Sequence, residues 1–316
     1  MYKKLLVSSA MISALIYGQI ANSYAASEFK PKEEIFLQGA DLNPQQLEET
    51  KQKLGVGQNV TTYTVNSTDV VRYTGTEYDY IHSSAVIKPK RFTSGVDVEI
   101  ETPETITRIT QAQYTNAAIT AGIQDAVIKI ASIDPVSGEG ALTGIYKAYE
   151  AQGHTLNEGD IQNAHQEMNE LAQISENHQG QAAFSDEALN EAIADMKSQI
   201  AEAKSSEQQI NQVTINQIVI QTLNAKGLNR ILSDNEIAII QNMMMEVAQS
   251  NVMNQNPEAY QKQAKDLMKQ IQSQAGDKLD DLKQLDTEEN RNALQKLWDA
   301  IVALFTKLWH WLTSFL

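Results

Sequence analysis

Ala126-Val-Ile-Lys-Ile-Ala-Ser132, followed by Ile133-Asp-Pro-Val-Ser-Gly-Glu-Gly-Ala-Leu-Thr-Gly-Ile-Tyr-Lys-Ala-Tyr-Glu-Ala-Gln-Gly153, is the stretch that decides the fold. The first seven residues are mostly apolar and rich in β-branched side chains, which reads as a strand. Beyond Pro135 and two glycines, Ala141–Ala151 reads as a helix that Gly153 closes. A strand, a short glycine-containing loop and a helix in succession imply a sheet with helices laid on it.

The same pattern extends upstream. Gln111–Ala121 reads as a helix ended by Gly122. Val60–Asn66, Ser83–Lys90 and Val96–Thr102 read as strands, with Ser94-Gly95 in the last connection. Asp41-Leu42-Asn43-Pro44 opens a helix over Gln45–Leu54, which Gly55 and Gly57 stop. Helix, three strands, helix, strand and helix together predict an α+β fold for residues 28–155.

Downstream the strand signals cease, and residues 156–275 read as a helical domain. Ala188, Leu189, Ala192, Ile193, Met196 and Ile200 recur at helical spacing after a Ser185 cap. Ile210–Leu223 reads as a further helix. Ser233 and Glu236 have capping-box spacing ahead of Ile237–Val247, and Pro257 starts a polar helix expected to run to Gly276. Residues 276–289 read as a linker, and Asp286 and Glu289 then cap a helix over 290–316.

That last helix differs in kind. It carries all three tryptophans of the chain, Trp298, Trp309 and Trp311, together with Phe305, Leu312 and Phe315. Lys296, Asp299, Lys307, His310 and Ser314 fall on one narrow side, whereas a surface helix usually needs an apolar stripe of only ~100°. Three readings fit: packing on its own protein, lying in a membrane interface, or spanning a bilayer. Asp299, Lys307 and His310 count against spanning. The six large apolar residues are therefore candidates for contact with a membrane surface or an envelope partner.

The chain begins like an exported protein. Lys3 and Lys4 precede the apolar run Leu5–Gly18, and Ser23-Tyr24-Ala25 puts small residues before Ala26. Residues 1–25 thus read as a cleavable signal peptide, too short in its apolar part to span ~30 Å of hydrocarbon comfortably. There is no cysteine, which excludes disulfides, thiolate metal sites and a cysteine-linked lipid anchor. The formal charge is -15, and loss of Lys3 and Lys4 makes the mature chain more acidic still. Such a chain is repelled by nucleic acid, so no nucleic-acid partner is expected.

Ser137, Gly138, Glu139, Gly140, Thr143 and Gly144 form the candidate ligand loop, because backbone N–H groups between a strand and a helix can hold an anion. A tight, closely packed turn is the competing reading, and no Gly-Lys-Ser/Thr follows to make a P-loop. His82, His154, His165, His178 and His310 lack metal-ligand spacing, so no metal and no other cofactor is expected. Asp125, Asp134, Glu139 and Glu150 could supply paired carboxylates. Tyr73, Tyr78, Tyr80 and His82 form an aromatic cluster that could stack on a glycan, although a polar-aromatic loop covering the sheet edge is the more ordinary reading. No nucleophile elbow is present.

Several blocks resemble one family. Thr107-Arg-Ile-Thr-Gln-Ala-Gln-Tyr114, Asn116-Ala-Ala-Ile-Thr-Ala-Gly122 and Pro135–Glu150 are similar to the DUF1002 family of exported Gram-positive proteins, which includes YpuA-like proteins. Leu37–Leu42 is similar to that family's opening, and the resemblance covers most of residues 33–250. It implies export, a Gram-positive envelope location and a two-part layout, and it implies no catalytic residues. The resulting expectation is a non-enzymatic envelope protein that binds a partner, with a glycan or peptide hydrolase as the alternative. Mature protein starting at Ala26 should float with neutral as well as anionic liposomes, and deletion of residues 287–316 should abolish flotation. Equal behaviour of both forms would remove the membrane role from the last helix.

Overall fold

The structure, a computed structural model, describes residues 31–154 and 157–283, with side chains described to residue 275. The expected signal peptide, the distal part of the expected linker and the aromatic C-terminal helix lie outside the described residues. The described chain runs β1 (Ile35–Gly39), α1 (Pro44–Leu54), β2 (Thr61–Val65), α2 (Ser67–Thr74), β3 (Ser84–Pro89), β4 (Val96–Ile100), α3 (Gln111–Thr120), β5 (Ala126–Ala131) and α4 (Glu139–Ala151). It continues as α5 (Glu158–Asn177), α6 (Asp186–Ser205), α7 (Gln212–Ala225), α8 (Asp234–Gln249), α9 (Asn251–Gln255) and α10 (Pro257–Lys283). The fold is α+β, as the sequence predicts.

The strands form a five-stranded mixed sheet in the order β2-β1-β3-β5-β4. β1 is parallel to β2 and antiparallel to β3, and β5 is antiparallel to β3 and parallel to β4. Four strands therefore run one way and β3 alone runs back between β1 and β5. Pleating sorts the side chains by face. Ile35, Leu37, Ala85, Ile87, Ile128 and Ile130 enter the large core under α3 and α4. Phe36, Val86 and Ala131 enter a smaller core with Leu54 under α1. The strand β1 escaped the sequence reading because Ile35-Phe36-Leu37 is buried on both faces and shows no alternation. The short α2, with Asn66 as its cap, is likewise not among the predicted elements.

Most helix starts follow local chemistry. Asn43 and Gln46 form a capping box for α1, Thr110 and Gln113 for α3, and Ser233 and Glu236 for α8. Ser185 caps α6 through the Ala188 amide. α10 begins at Pro257 but passes through Gly276 to Lys283. One glycine inside a helix costs only about 1 kcal/mol, too little to end it unaided.

The helical half has its own core, built from α5, α6, α7, α8 and α10, with Ile119 of α3. The two halves nevertheless share α5. Its Ile161, Ala164, Met168 and Ala172 enter the sheet core, while Leu171 and Ile174 enter the helical core. An ion pair with both side chains fully buried joins them, with Lys197 Nζ 2.6 Å from Glu167 Oε1. Lys197 Nζ also donates to the Asn116 carbonyl at 2.9 Å, and Thr120 Oγ1 donates to Glu167 Oε2 at 2.6 Å. Burial lowers the Lys197 pKa, against the pull of the Glu167 carboxylate.

Removing one partner of such a pair strands a charge, whereas replacing both with apolar groups is tolerated. Glu167→Ala should lower unfolding free energy by about 3–5 kcal/mol in urea titrations, and the double variant Lys197→Met/Glu167→Leu should recover most of it. A single variant as stable as the parent would remove the pair from any structural role.

Candidate functional site

A cleft of about 510 Å³ opens at one edge of the sheet. Three chain segments wall it: Glu77–Ser83 leading into β3, Thr107 and Arg108 after β4, and Pro135–Gly138 between β5 and α4. This is the edge where β1, β4 and β5 end and β3 begins. Clefts at strand carboxyl ends are the usual ligand sites of such sheets, because loops there are free to vary over a rigid base.

The walls are held by buried polar groups. Glu139, the first residue of α4, is only 4% exposed. Its carboxylate pairs with Arg108 Nη1 and accepts from the Tyr78 hydroxyl at 2.9 Å. Arg108 Nε lies 2.9 Å from Glu176 Oε1, and Nη1 donates to Asn169 Oδ1 at 3.0 Å. Burial, then the Glu139 carboxylate, pushes the Tyr78 hydroxyl far above its ordinary range, so it remains a proton donor. The Tyr114 hydroxyl donates to the Gly138 carbonyl at 2.5 Å.

Gly138 is required by this geometry. Its φ is +102°, and a Cβ there would collide with the Tyr114 hydroxyl and lie 3.0 Å from Ile106 Cγ2. Gly144 serves a different purpose, since a Cβ would sit 3.2 Å from Leu37 Cβ and 3.1 Å from Val65 Cγ2. It lets α4 lie close on β1 and β2.

The expected ligand loop is thus shorter than its sequence suggested. Ser137, Gly138 and Gly140 line the cleft, but the helix starts at Glu139 rather than Ala141. Glu139 faces Arg108 and Tyr78 instead of solvent, and Thr143 and Gly144 are buried inside α4. Of the other expected carboxylates, Glu150 holds the Tyr73 hydroxyl at 2.6 Å and Arg72 at 2.8 Å. Asp125 accepts from the Gly95 amide at 3.0 Å, near the opposite ends of β4 and β5. The aromatic cluster also separates: Tyr73 is buried beside Tyr146, and Tyr78 is tied to Glu139, leaving Tyr80 half exposed. His165 is buried, with Nε2 2.9 Å from Asn169 Nδ2, while Glu167 is committed to Lys197. Trp298, Phe305, Trp309, Trp311, Leu312 and Phe315 lie outside the described residues.

The cleft brings together residues that spacing did not pair. His82 Nδ1 lies 2.8 Å from Asp134 Oδ2, and the same oxygen accepts from Gln46 Nε2 at 2.8 Å. Tyr80 lies against the His82 ring, with centroids 4.7 Å apart. The Asp41 carboxylate fixes the approach by accepting from the Ile81 amide at 2.7 Å. The available signal was topological: β3 and β5 pair with Ser84 opposite Ala131, which brings the residues just beyond each strand end together.

Gly138→Ala should destabilise the fold by more than about 1 kcal/mol, since it combines a positive φ with a collision. The Gly138→Ala/Tyr114→Phe double variant should regain part of that loss in thermal unfolding, because the hydroxyl in the way is gone. Full stability of Gly138→Ala alone would refute the tight turn.

The model of the family described as "Protein of unknown function (DUF1002)" matches residues 38–267. The chain is 27% identical over 295 residues to "Uncharacterized protein YpuA" of Bacillus subtilis (strain 168), covering 86% of this chain and 89% of that protein. No solved structure matches. With the family match reaching from β1 into α10, the chain belongs to the DUF1002 family of proteins of unknown function.

Proposed function

We propose that this is an exported envelope protein that binds a polyhydroxylated, sugar-like ligand in the cleft at the strand carboxyl ends. The observation that carries the reading is Tyr80, half exposed on the His82 ring in a cleft that also presents Glu77, Asp79 and Ser137. An exposed aromatic face offers a flat apolar surface for the C–H face of a sugar ring, and its edge remains wet. Asp79 and Glu77 beside it supply acceptors for hydroxyl groups, and Ser137 adds a hydroxyl of its own. A ligand dominated by phosphate or carboxylate groups fits less well, because the two rim acids oppose it.

The leader-like residues 1–25 support export, and the absence of cysteine suits an extracytoplasmic protein built on its own cores. In this reading residues 290–316 hold the protein at the membrane surface or dock it to an envelope partner. Among the described residues no helix is long and apolar enough to cross a membrane.

Titration of the mature chain with a soluble disaccharide-peptide fragment of cell wall, followed by calorimetry, tests the ligand class. Binding should weaken about 3- to 10-fold in Tyr80→Ala, the range expected for losing one aromatic contact of about 0.5–1.5 kcal/mol. Binding that is absent in the parent, or unchanged in the variant, would refute the Tyr80 platform.

A further inference from the structure

We propose that His82 and Asp134 form a general acid–base dyad that removes an O-acyl group from the ligand held in this cleft. The inference rests on the cleft being the ligand site and adds a reaction to it. Four observations support it. His82 lines the cleft, and its Nδ1 lies 2.8 Å from the Asp134 carboxylate. Gln46, from the first turn of α1, donates to the same carboxylate oxygen at 2.8 Å and fixes its direction. Nδ1 is the ring nitrogen beside the carboxylate, which leaves Nε2 as the nitrogen for a substrate. The Tyr80 ring, 4.7 Å away, holds the imidazole on its other side and carries the proposed ligand contact.

The geometry selects ester cleavage over cleavage of a glycosidic bond. Glycosidases of the usual kind need two carboxyl groups flanking the bond, one of them a proton donor. Here Glu139 is consumed by Arg108 and Tyr78, and Asp134 by His82 and Gln46. A histidine oriented by a carboxylate is instead suited to move a proton between water and an ester.

In the proposed step, His82 Nε2 takes a proton from water as the water oxygen bonds to the acyl carbon. The carbonyl electron pair moves onto its oxygen. On collapse the carbonyl re-forms, the bond from acyl carbon to sugar oxygen breaks, and the departing oxygen takes the proton back from Nε2. Water is thus divided between a carboxylic acid and a free hydroxyl, with no oxidation or reduction. Asp134 remains ionised and stabilises the imidazolium between the two transfers.

The test uses the mature full-length chain and an O-acetylated disaccharide-peptide wall fragment, with acetate release and binding measured on the same samples. The parent should release acetate. His82→Ala should lose about 100-fold or more in kcat with KM changed less than about threefold, the loss expected when a general base is removed. Added imidazole should restore part of the turnover in His82→Ala, which a purely structural histidine would not allow. Asp134→Asn should lower kcat while its unfolding midpoint stays near that of the parent, and Gln46→Ala should have a smaller effect in the same direction. Should His82→Ala fail to fold, the Asp134→Asn and Gln46→Ala results decide the question. Binding without acetate release, or release that persists in His82→Ala and Asp134→Asn, overturns the dyad and leaves the binding site standing. Absence of both binding and release overturns the dyad together with the ligand reading.

Discussion

The buried carboxylate of Glu139 is the constraint on which the cleft and much of the fold depend. It sits at the first turn of α4, where a negative charge is favoured by the helix dipole but removed from water. The charge is met by Arg108 from the segment after β4 and by Tyr78 from the segment before β3. Arg108 then reaches Asn169 and Glu176 of α5. One acidic side chain therefore ties together two cleft walls, the helix that covers the sheet and the helix that leads into the second core. An acid with so many obligations is a structural anchor.

The connection between the halves follows the same logic. α5 contributes apolar residues to both cores, so neither half can shed it without exposing the other. The Lys197–Glu167 pair lies where α3, α5 and α6 meet, and the Tyr260 hydroxyl of α10 is 3.2 Å from Thr120 Oγ1 beside it. Buried ion pairs add little net stability compared with apolar packing, but each has essentially one satisfied arrangement. Apolar surfaces of helices can slide; this network cannot without leaving a charge unpaired. Residues 28–155 and 156–275 are distinguishable in sequence, yet their packing is continuous through α5.

What the sequence revealed and what it hid divide along physical lines. Alternation marks β2 and β4, and runs of β-branched residues mark β3 and β5; all four fall within a residue or two of their expected bounds. Capped helices did likewise at Ser185 and Ser233. β1 did not, because a central strand buried on both faces is merely a short apolar run. The start of α4 was misplaced because Gly140 and Gly144 resemble loop residues. Their real reason is proximity: a Cβ on Gly140 would lie 3.1 Å from Ser83 Oγ, and one on Gly144 would press on Leu37 and Val65. Spacing reports local conformation, whereas these glycines answer to neighbours distant in sequence. The pairing of His82 with Asp134 is of the same kind, invisible until strand register is known.

That register also explains how the residues of the proposed dyad come to share this edge. In an all-parallel sheet, every strand delivers its outgoing segment to one end and collects its incoming segment from the other. Reversal of β3 breaks that rule, so an incoming segment arrives between the outgoing ends of β1 and β5. His82 belongs to the incoming segment, Asp134 to the exit from β5, and Gln46 to the helix that follows β1. Each is held by a separate stretch of backbone rooted in the same sheet, and backbone rooted in a sheet moves little. His82, beside a carboxylate that an amide holds and against the Tyr80 ring, has less rotational freedom than an unconstrained surface histidine. Such immobilisation has an entropic cost that a histidine serving only as surface would not need to incur. The reversed strand is therefore more than a variation in topology: it brings the three side chains of the proposed dyad and its support within reach of one another.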